Sequence, residues 1–198
     1  MSISSKDPIT TKDYIRRSAI YYRNKPAMVY GDLSLTFGQV DERANRLANA
    51  LAGLGLKPGA RVATLGRNSL NFAEILFGLI KGGFVQLFLN PRLLTADLAF
   101  QINDAEISAV IVEQHYSEII DSIRGELKTV KHFLCFHGTH PHMIDYEKLL
   151  PSASAREPEI EINLDDKAYT LRTEAKGTVG KVFQACGVAL PPTVRSAQ

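Results

Sequence analysis

The sequence contains only two cysteines, Cys135 and Cys186, and they lie far apart along the chain. Their small number and wide separation exclude a disulfide framework and the redox and metal motifs that are built from close cysteine pairs. Sparse cysteine use of this kind fits a protein of a reducing compartment. We therefore predict a cytoplasmic location.

Net charge is also low. The 23 basic and 21 acidic side chains leave a formal charge of +2, and the two signs are interspersed along the chain. Proteins that bind nucleic acid backbones instead gather their basic side chains into a stripe or patch. The charge pattern therefore predicts no nucleic acid partner.

The sequence has no long apolar run. Its most apolar stretch, residues 72–89, is interrupted by Glu74, Lys81 and a glycine pair, whereas a membrane-spanning helix needs about 20 predominantly apolar residues. We interpret this stretch as a buried helix, a glycine turn and a buried strand. Residues 1–12 are polar and lack the apolar core of a signal peptide. The sequence thus predicts neither export nor an integral membrane segment.

A strand hairpin over residues 31–37 leads directly into a capped helix. Thr36 and Gln39 have the spacing of a capping box, in which the hydroxyl accepts from an orphan amide and the glutamine reaches back to the cap. Apolar side chains then recur at helical spacing on one face: Val40, Ala44, Leu47, Ala48 and Leu51. Gly55 supplies a left-handed stop.

Short apolar strands alternate with helices beyond this point. We predict strands over 62–65, 85–89, 107–112 and 132–136, and helices over 68–81, 95–103 and 117–127, with Asn68 and Thr95 as N-caps. This alternation is typical of βαβ units with right-handed crossovers. A length of 198 residues with 45% hydrophobic side chains fits one core. We therefore predict an α/β fold, a layered and largely parallel sheet with flanking helices.

Four segments of the chain resemble a known superfamily. In order, they read GDLSLTFGQVDERANRLANAL, LGLKPGARVA, NSLNFAEILFGLIKGGF and LNPRLLTADLAFQINDAE. Their order and spacing, from Tyr14 to Tyr169, are similar to the N-terminal part of the adenylate-forming (AMP-binding) enzymes, and within them to the acyl-CoA synthetase branch. The resemblance implies the N-terminal part of that fold. It also implies a parent reaction that joins a fatty or aryl carboxylate to ATP as an acyl-adenylate and then to coenzyme A, with ATP and Mg as cofactors.

Two short matches to this family favour structure over chemistry. Asn68-Ser69 resembles the family's Asn-Ser helix start, which helix capping explains. Asn90-Pro91-Arg92 resembles its Asn-Pro-Arg turn, in which proline fixes the exit from the strand. Arg92 can pair with an acid in such a turn. Catalysis is the alternative role.

The resemblance implies a phosphate-binding loop shortly after Tyr169. Such loops need small residues, hydroxyls and a lysine around the phosphate oxygens. The family pattern is Thr-Ser-Gly-(Ser or Thr)-Thr-Gly-x-Pro-Lys-Gly, whereas residues 173–182 read TEAKGTVGKV, so the Gly-Thr-x-Gly core survives and the Pro-Lys-Gly end does not. Glu174 adds a carboxylate that repels phosphate. The candidate ATP-binding residues are Thr173, Gly177, Thr178, Gly180 and Lys181. A solvated turn is the alternative interpretation.

We predict five segments along the chain. These are a flexible N-terminus over 1–12, an α/β N-terminal subdomain of an AMP-binding domain over 13–150, a linker over 151–164, a strand and degenerate phosphate loop over 165–182, and an irregular tail over 183–198. The tail contains a proline pair and cannot form a long helix. The later nucleotide-binding and acyl-binding segments of the family do not follow. We therefore predict a truncated acyl-CoA synthetase-like domain that has no catalytic residues of its own and is inactive alone.

A non-catalytic binding or interaction module of the same fold is the alternative function. If the remainder of a large domain is absent, core faces such as those of residues 72–89 should be exposed and should favour self-association. A soluble monomer would instead favour the adapted module.

Histidine and cysteine are also concentrated in one short segment: His132, Cys135, His137, His140 and His142. Imidazole and thiolate are zinc ligands. Their spacing nevertheless fits no standard metal pattern, and a strand followed by a variable polar loop explains the same residues. We therefore predict no metal ligands here.

Overall fold

A computed structural model describes residues 10–161 and 169–170 of the chain. The helices are α1 (Thr11–Tyr22), α2 (Phe37–Gly53), α3 (Leu70–Lys81), α4 (Thr95–Asp104), α5 (Ser117–Ser122) and α6 (Tyr146–Ser152). The strands are β1 (Pro26–Tyr30), β2 (Leu33–Thr36), β3 (Arg61–Leu65), β4 (Val85–Phe88), β5 (Ala109–Glu113), β6 (His132–Phe136), β7 (Ile144–Asp145) and β8 (Tyr169–Thr170). Short 3-10 turns flank α5 at Gln114–Tyr116 and Arg124–Glu126.

The strands form two sheets. β1 and β2 pair as an antiparallel hairpin, and the other six strands form a sheet in the order β7-β6-β5-β3-β4-β8. Every strand pair in this larger sheet is parallel. The predicted fold class, a layered and largely parallel sheet with flanking helices, is confirmed.

Helices cover both faces of the larger sheet. Because successive side chains of a strand point to opposite faces, Ala109 and Ile111 of β5 pack towards α2, α3 and α6, while Val110 and Val112 pack towards α4 and α5. The strand is therefore buried along its whole length. This pattern explains why the strands of a covered parallel sheet are continuously apolar rather than alternating.

The predicted start of α2 is confirmed in detail. Gln39 donates its backbone N–H to the Thr36 hydroxyl over 3.3 Å, and Thr36 donates its own backbone N–H to Gln39 Oε1 over 2.8 Å. The five predicted core positions of α2 are all buried. Gly55 follows the helix with a φ of +92°, in the left-handed region expected of a helix stop.

Several predicted boundaries are wrong by one or two residues. The N-cap of α3 is Ser69 rather than Asn68, because the Ser69 hydroxyl accepts from Phe72 N over 3.2 Å. Thr95 is the first residue of α4, and Leu94 occupies its cap position without a side-chain hydrogen bond. β5 begins at Ala109, two residues after the predicted start at Ile107.

The predicted helix over 117–127 is shorter in the structure. α5 ends at Ser122, and Arg124–Glu126 forms a 3-10 turn. Gly125 lies in this turn, and glycine is a poor helix former.

Two further helices, α1 and α6, have no counterpart in the predicted pattern. α1 begins at Thr11, inside the segment 1–12 for which we predicted flexibility.

The predicted linker over 151–164 runs along α2 where it is described. Its first two residues complete α6. Asn45 Nδ2 then donates to the carbonyl of Ala155 over 3.1 Å, and Arg46 Nη1 donates to the carbonyl of Ala153 over 2.8 Å. Side chains of α2 thus hold the backbone of residues 153–155 against the helix.

The expected exposure of core faces in residues 72–89 is found only in part, since Phe72, Leu76, Phe77 and Phe88 are partly exposed. Ile75, Leu79 and Leu87 are buried because α2 covers α3 and because β4 lies inside the sheet. Large exposed apolar side chains lie instead on α1, on the β1–β2 hairpin, on α4 and just before it: Tyr14, Ile20, Tyr21, Tyr22, Val29, Tyr30, Leu33, Leu94 and Phe100. No helix among the described residues has both the length and the apolarity needed to cross a membrane.

A glycine in α3 sets the distance between α2 and α3. A Cβ atom added to Gly78 would lie 2.7 Å from Leu47 Cδ2, and Leu47 is fully buried. We expect Gly78→Ala to lower the free energy of unfolding by about 1–3 kcal/mol, as overpacked cores do. Urea denaturation of the purified chain measures the change.

Gly53 in α2 provides the matched control, because a Cβ atom there would have no neighbour within 4 Å. We expect Gly53→Ala to be neutral or stabilising by up to about 1 kcal/mol, since alanine loses less entropy than glycine in a helix. Equal destabilisation by both variants would contradict a close contact between the helices at Gly78.

Candidate functional site

The carboxyl ends of the parallel strands form the edge at which a site is expected. β4 follows β3 in sequence and lies on one side of β3 in the sheet, whereas β5 lies on the other side of β3. The direction of winding therefore reverses between β3 and β5. In open α/β sheets, ligands bind in the crevice outside the carboxyl ends at such a switch point. Here Arg67 lies two residues after β3, and Glu113 is the last residue of β5.

An ion pair joins the two strand ends at this switch point. Arg67 Nη2 lies 2.6 Å from Glu113 Oε1, and the backbone N–H of Arg67 donates to Glu113 Oε2 over 2.8 Å. The side chain of Glu113 is 5% exposed and that of Arg67 is 65% exposed. Burial acts to raise the pKa of Glu113, but the hydrogen bonds from Arg67 outweigh it and the pKa falls below its ordinary value. Glu113 is therefore ionised at neutral pH and holds no proton for acid catalysis.

A histidine lies beside this pair. His137 follows β6 with a φ of +57°, its Nδ1 is 4.0 Å from Glu113 Oε1, and its Nε2 is 2.8 Å from Asn71 Oδ1. Asn71 in turn donates from Nδ2 to Glu74 Oε1 over 3.3 Å. His137 and Asn71 thus connect the strand-end pair to a second hydrogen-bond network around Glu74 of α3.

Glu74 is the centre of this second network and is 1% exposed. Arg43 donates to both of its carboxylate oxygens, Nε over 2.5 Å and Nη2 over 2.9 Å. The hydroxyl of Tyr146, a fully buried residue, donates to Glu74 Oε1 over 2.8 Å. Burial, together with the negative charge of Glu74, raises the pKa of Tyr146 well above its ordinary value. Tyr146 therefore remains a donor, and the network joins α2, α3 and α6.

A buried lysine at the end of α3 forms a third polar cluster. Lys81 Nζ donates to Asp41 Oδ1 over 2.6 Å, to Asn45 Oδ1 over 2.7 Å and to Glu157 Oε2 over 2.6 Å. Asp41, Asn45 and Glu157 also line an open cavity of about 420 Å³ between α1, α2 and residues 155–157. The side-chain oxygens of these three residues accept hydrogen bonds from Lys81. The cluster therefore fixes residues 155–157, called the docked segment below, to α2 and α3.

The predicted phosphate-binding residues Thr173, Gly177, Thr178, Gly180 and Lys181 lie outside the described residues. β8 pairs in parallel with β4, with Tyr169 opposite Gln86 and Thr170 opposite Leu87. The described part of the chain therefore runs towards the carboxyl edge of the sheet, where the predicted loop would have to lie to bind a ligand at that edge.

The Asn-Pro-Arg turn leaves β4 at the same edge. Asn90 Oδ1 accepts from the backbone N–H of Arg92 over 3.0 Å, which supports a structural turn. The side chain of Arg92 is exposed and forms no ion pair with the residues that the structure describes. Its predicted pairing with an acid is therefore not found among them.

The model of the AMP-binding enzyme family matches residues 15–173. The chain belongs to this family. The match ends at Thr173, the first of the five predicted phosphate-binding residues. The chain is 34% identical over 143 residues to a long-chain-fatty-acid–CoA ligase of Thermus thermophilus, a region that covers 70% of this chain and 26% of the ligase.

Solved structures of relatives share the fold. A fatty acyl CoA synthetase of Mycobacterium tuberculosis has a TM-score of 0.74 and 29% identity, covering 82% of this chain and 32% of that one. An anthranilate CoA ligase in complex with anthranoyl-AMP has a TM-score of 0.72 and 26% identity, covering 78% of this chain and 30% of that one. The chain therefore spans between a quarter and a third of the length of these relatives.

The histidines and cysteine of the concentrated segment are separated by the fold. Cys135 is buried in β6, where burial and then the charge of Asp145 raise the pKa of its thiol, so it is not an activated nucleophile. His137 contacts Asn71, as described above. His140 and His142, in contrast, meet Asp121 of α5, and ligand atoms of these three residues lie within 4.8 Å of one another.

Sequence reasoning missed the charged residues at the carboxyl edge. Arg67 and Glu113 are 46 positions apart, and nothing in their local spacing indicates a pair. The available signal was their position directly after predicted apolar strands, where a parallel sheet gathers side chains at one edge. Glu74 and Lys81 were noticed only as interruptions of an apolar stretch.

The Glu113 carboxylate provides a test of the strand-end pair. Because its pKa is lower in the folded chain than in the unfolded chain, its stabilisation is present above the unfolded value of about 4.3 and is lost as the pH falls through the folded value. We expect Glu113→Gln to destabilise the chain by about 1.5–3 kcal/mol at pH 7, the usual range for hydrogen bonds to charged groups. The difference should shrink at pH 3.

Urea unfolding midpoints at both pH values measure this effect. Glu106→Gln is the control, because Glu106 pairs with Arg61 while 71% exposed and surface pairs contribute little. A Glu113→Gln penalty that is the same at pH 3 as at pH 7 would contradict an ionised Glu113 in the fold.

Proposed function

We propose that these residues are the N-terminal framework of an acyl-CoA ligase. The parent reaction joins a fatty or aryl carboxylate to ATP as an acyl-adenylate with release of pyrophosphate, and the thiol of coenzyme A then displaces AMP. The family match over residues 15–173 carries this proposal. The similarity to fatty acid and anthranilate CoA ligases supports the carboxylate and coenzyme A as substrates.

We further propose Thr173, Gly177, Thr178, Gly180 and Lys181 as phosphate ligands of ATP. The direction of β8 supports this assignment, since the loop follows a strand that runs to the carboxyl edge. Small residues let backbone amides approach phosphate oxygens, and Lys181 supplies a positive charge. Mg would screen the phosphates from Glu174, as cations do near like charges.

We also propose that this chain does not catalyse the complete reaction by itself. The polar groups at the described carboxyl edge are engaged with each other: Glu113 with Arg67, and His137 with Asn71. They have the geometry of a framework rather than of an acid–base pair. The chain also spans only 26% of the Thermus ligase. A cytoplasmic location, which suits small-molecule substrates of this class, is part of the same proposal.

The test is acid-dependent ATP–pyrophosphate exchange by the purified chain with octanoate, palmitate or benzoate. We expect no exchange above the level without acid, while an intact fatty acid–CoA ligase assayed in parallel exchanges with its own acid. Exchange by this chain would overturn the proposed inactivity and would itself support the family reaction.

ATP binding is tested separately by equilibrium dialysis with labelled ATP and Mg. If Lys181 contacts phosphate, Lys181→Ala should weaken binding by about tenfold, the effect of roughly 1.4 kcal/mol. Lys128→Ala, which removes an exposed lysine just before the amino end of β6, should leave it unchanged. Equal affinity of both variants, or no binding by the parent chain, would favour the solvated turn.

A non-catalytic module is the second candidate function. The burial of Ile75, Leu79 and Leu87 favours it, because a remnant of a larger domain should expose core faces of this kind. Light scattering after size exclusion discriminates between the two: a monodisperse monomer supports the adapted module. Association that is lost on Ile20→Ser and Val29→Ser would instead indicate a remnant with exposed apolar surface.

A further inference from the structure

A cluster of metal-ligating side chains lies apart from the carboxyl edge, between α5 and the loop that joins β6 to β7. Asp121 on α5 faces His140 and His142 on the loop, and one ligand atom from each lies within 4.8 Å of the others. Pro141 separates the two histidines and restricts the backbone between them. The three ligands thus come from two segments that the fold brings together.

The cluster is already bound together by hydrogen bonds. His142 Nδ1 lies 2.9 Å from Asp121 Oδ2. His140 is buried, its Nδ1 accepts the backbone N–H of His142 over a long 3.3 Å, and its Nε2 lies 3.4 Å from Glu118 Oε1. Imidazole nitrogens and a carboxylate oxygen are therefore held close together.

Arg124 fixes the carboxylate and the loop. Its Nε donates to Asp121 Oδ1 over 2.8 Å, which leaves Oδ2 facing His142. Its Nη2 donates to the carbonyl of His142 over 2.8 Å, and its guanidinium packs 3.9 Å from the centre of the Phe133 ring. The second oxygen of Asp121 is thereby presented to the histidines, and the loop is held against α5.

We propose that Asp121, His140 and His142 bind a divalent transition metal ion of the zinc class. Two imidazoles and one carboxylate form a typical zinc ligand set, with water in the fourth position. Tetrahedral binding needs neighbouring ligand atoms about 3.3 Å apart, from metal–ligand distances of about 2.0–2.1 Å, so a contraction of the cluster suffices. Imidazole ligands disfavour Mg and Ca, which prefer oxygen.

Glu118 takes the position of an outer partner. Binding through His140 Nδ1 replaces the long hydrogen bond from the His142 amide and leaves the proton of the ring on Nε2, which faces Glu118. Metal-bound histidines commonly donate their other ring N–H to a carboxylate, which orients the ring. The ion would cross-link the β6–β7 loop to α5.

This site differs from the prediction that the histidine-rich segment binds no metal. His132, Cys135 and His137 take no part in it. The third ligand, Asp121, precedes His140 by almost twenty positions, and only packing of α5 against the loop reveals it. A site that is shared between two segments produces no ligand spacing pattern within either of them.

Zinc titration of the purified, tag-free chain tests the proposal by calorimetry at pH 7.5. We expect one ion per chain, and Co added in place of Zn should give the visible absorption of a tetrahedral ion. His142→Ala and Asp121→Asn should each weaken binding by at least the 10–100-fold typical of outer partners. His115→Ala, at an exposed histidine outside the cluster, should leave the affinity unchanged.

Glu118→Gln keeps the test decisive if a ligand variant fails to fold, because the Glu118 side chain is 87% exposed and its replacement leaves the packing intact. It should weaken zinc binding by about 10–100-fold. No zinc binding by the parent chain, or binding that is equally strong in His142→Ala, Asp121→Asn and Glu118→Gln, would overturn the site.

Discussion

Replacing Lys81 with methionine is expected to lower the free energy of unfolding by about 3 kcal/mol, the lower end of the cost of breaking a buried ion pair. Lys81 is fully buried, and its ammonium group donates to Asp41, Asn45 and Glu157. Methionine keeps most of the packing but removes the ammonium group that binds both carboxylates. The carboxylates are 18% and 27% exposed, so water partly solvates them and limits the loss.

The same substitution should release the segment that follows α6. Glu157 holds this segment to Lys81, and Arg156 beside it offers a trypsin cleavage site. We therefore expect faster tryptic cleavage after Arg156 in Lys81→Met, together with the lower unfolding free energy in urea. Both measurements use the same purified chain.

Lys148→Met is the matched control, since Lys148 pairs with Asp145 while 82% exposed. Its cost should stay below about 1 kcal/mol, the usual limit for surface pairs. Cleavage after Arg156 should be unchanged in it. If Lys81→Met behaves like Lys148→Met, the buried cluster does not hold the docked segment.

Lys81 also illustrates how much the sequence reveals. Together with Glu74 and the glycine pair, its charge argues against a membrane span over residues 72–89 and favours a helix, a glycine turn and a strand there, all of which the structure contains. Its partners come from α2 and from residue 157, which are distant in sequence. Local pattern therefore predicted the element, whereas the pairing depends on tertiary packing.

The same division holds across the fold. α2 and its capping box follow from hydrogen bonds and periodicity within a few residues, and both were predicted. α6 has only seven residues and contains Pro151, so it presents little periodicity to detect. The strand-end pair of Arg67 and Glu113 depends on strand order, which the alternation of elements restricts but does not determine.

In the candidate site, too, some features follow from the sequence and others depend on tertiary packing. The family resemblance was predicted from four ordered segments and is confirmed by the match over residues 15–173. The phosphate-binding residues stay a prediction, because Thr173–Lys181 follow the last described strand. The residues that the structure does bring together, Arg67, Glu113 and His137, carry no local signature. An ion pair between two strand ends produces no characteristic residue spacing in the sequence.

The buried carboxylate of Glu74 provides the largest expected effect. Arg43→Met removes its cation and leaves a charge that is 1% exposed, with only neutral donors from Tyr146 and Asn71. We expect a loss of about 3–5 kcal/mol in the free energy of unfolding, the range for an unpaired buried charge. Arg61→Met is the control, because Arg61 is 47% exposed and pairs with Glu106 at the surface.

A second substitution shows whether Arg43→Met destabilises the chain by removing the charge partner of Glu74 or by removing packing contacts of Arg43. In the Arg43→Met background, Glu74→Gln removes the unpaired charge and keeps an oxygen that accepts from the Tyr146 hydroxyl. The double variant should therefore recover part of the stability that Arg43→Met loses, because a buried amide needs far less solvation than a buried carboxylate. Urea unfolding of the parent, both single variants and the double variant gives the coupling energy directly. If the two losses simply add, the effect of Arg43 is packing along α2, and Glu74 does not depend on its charge partner.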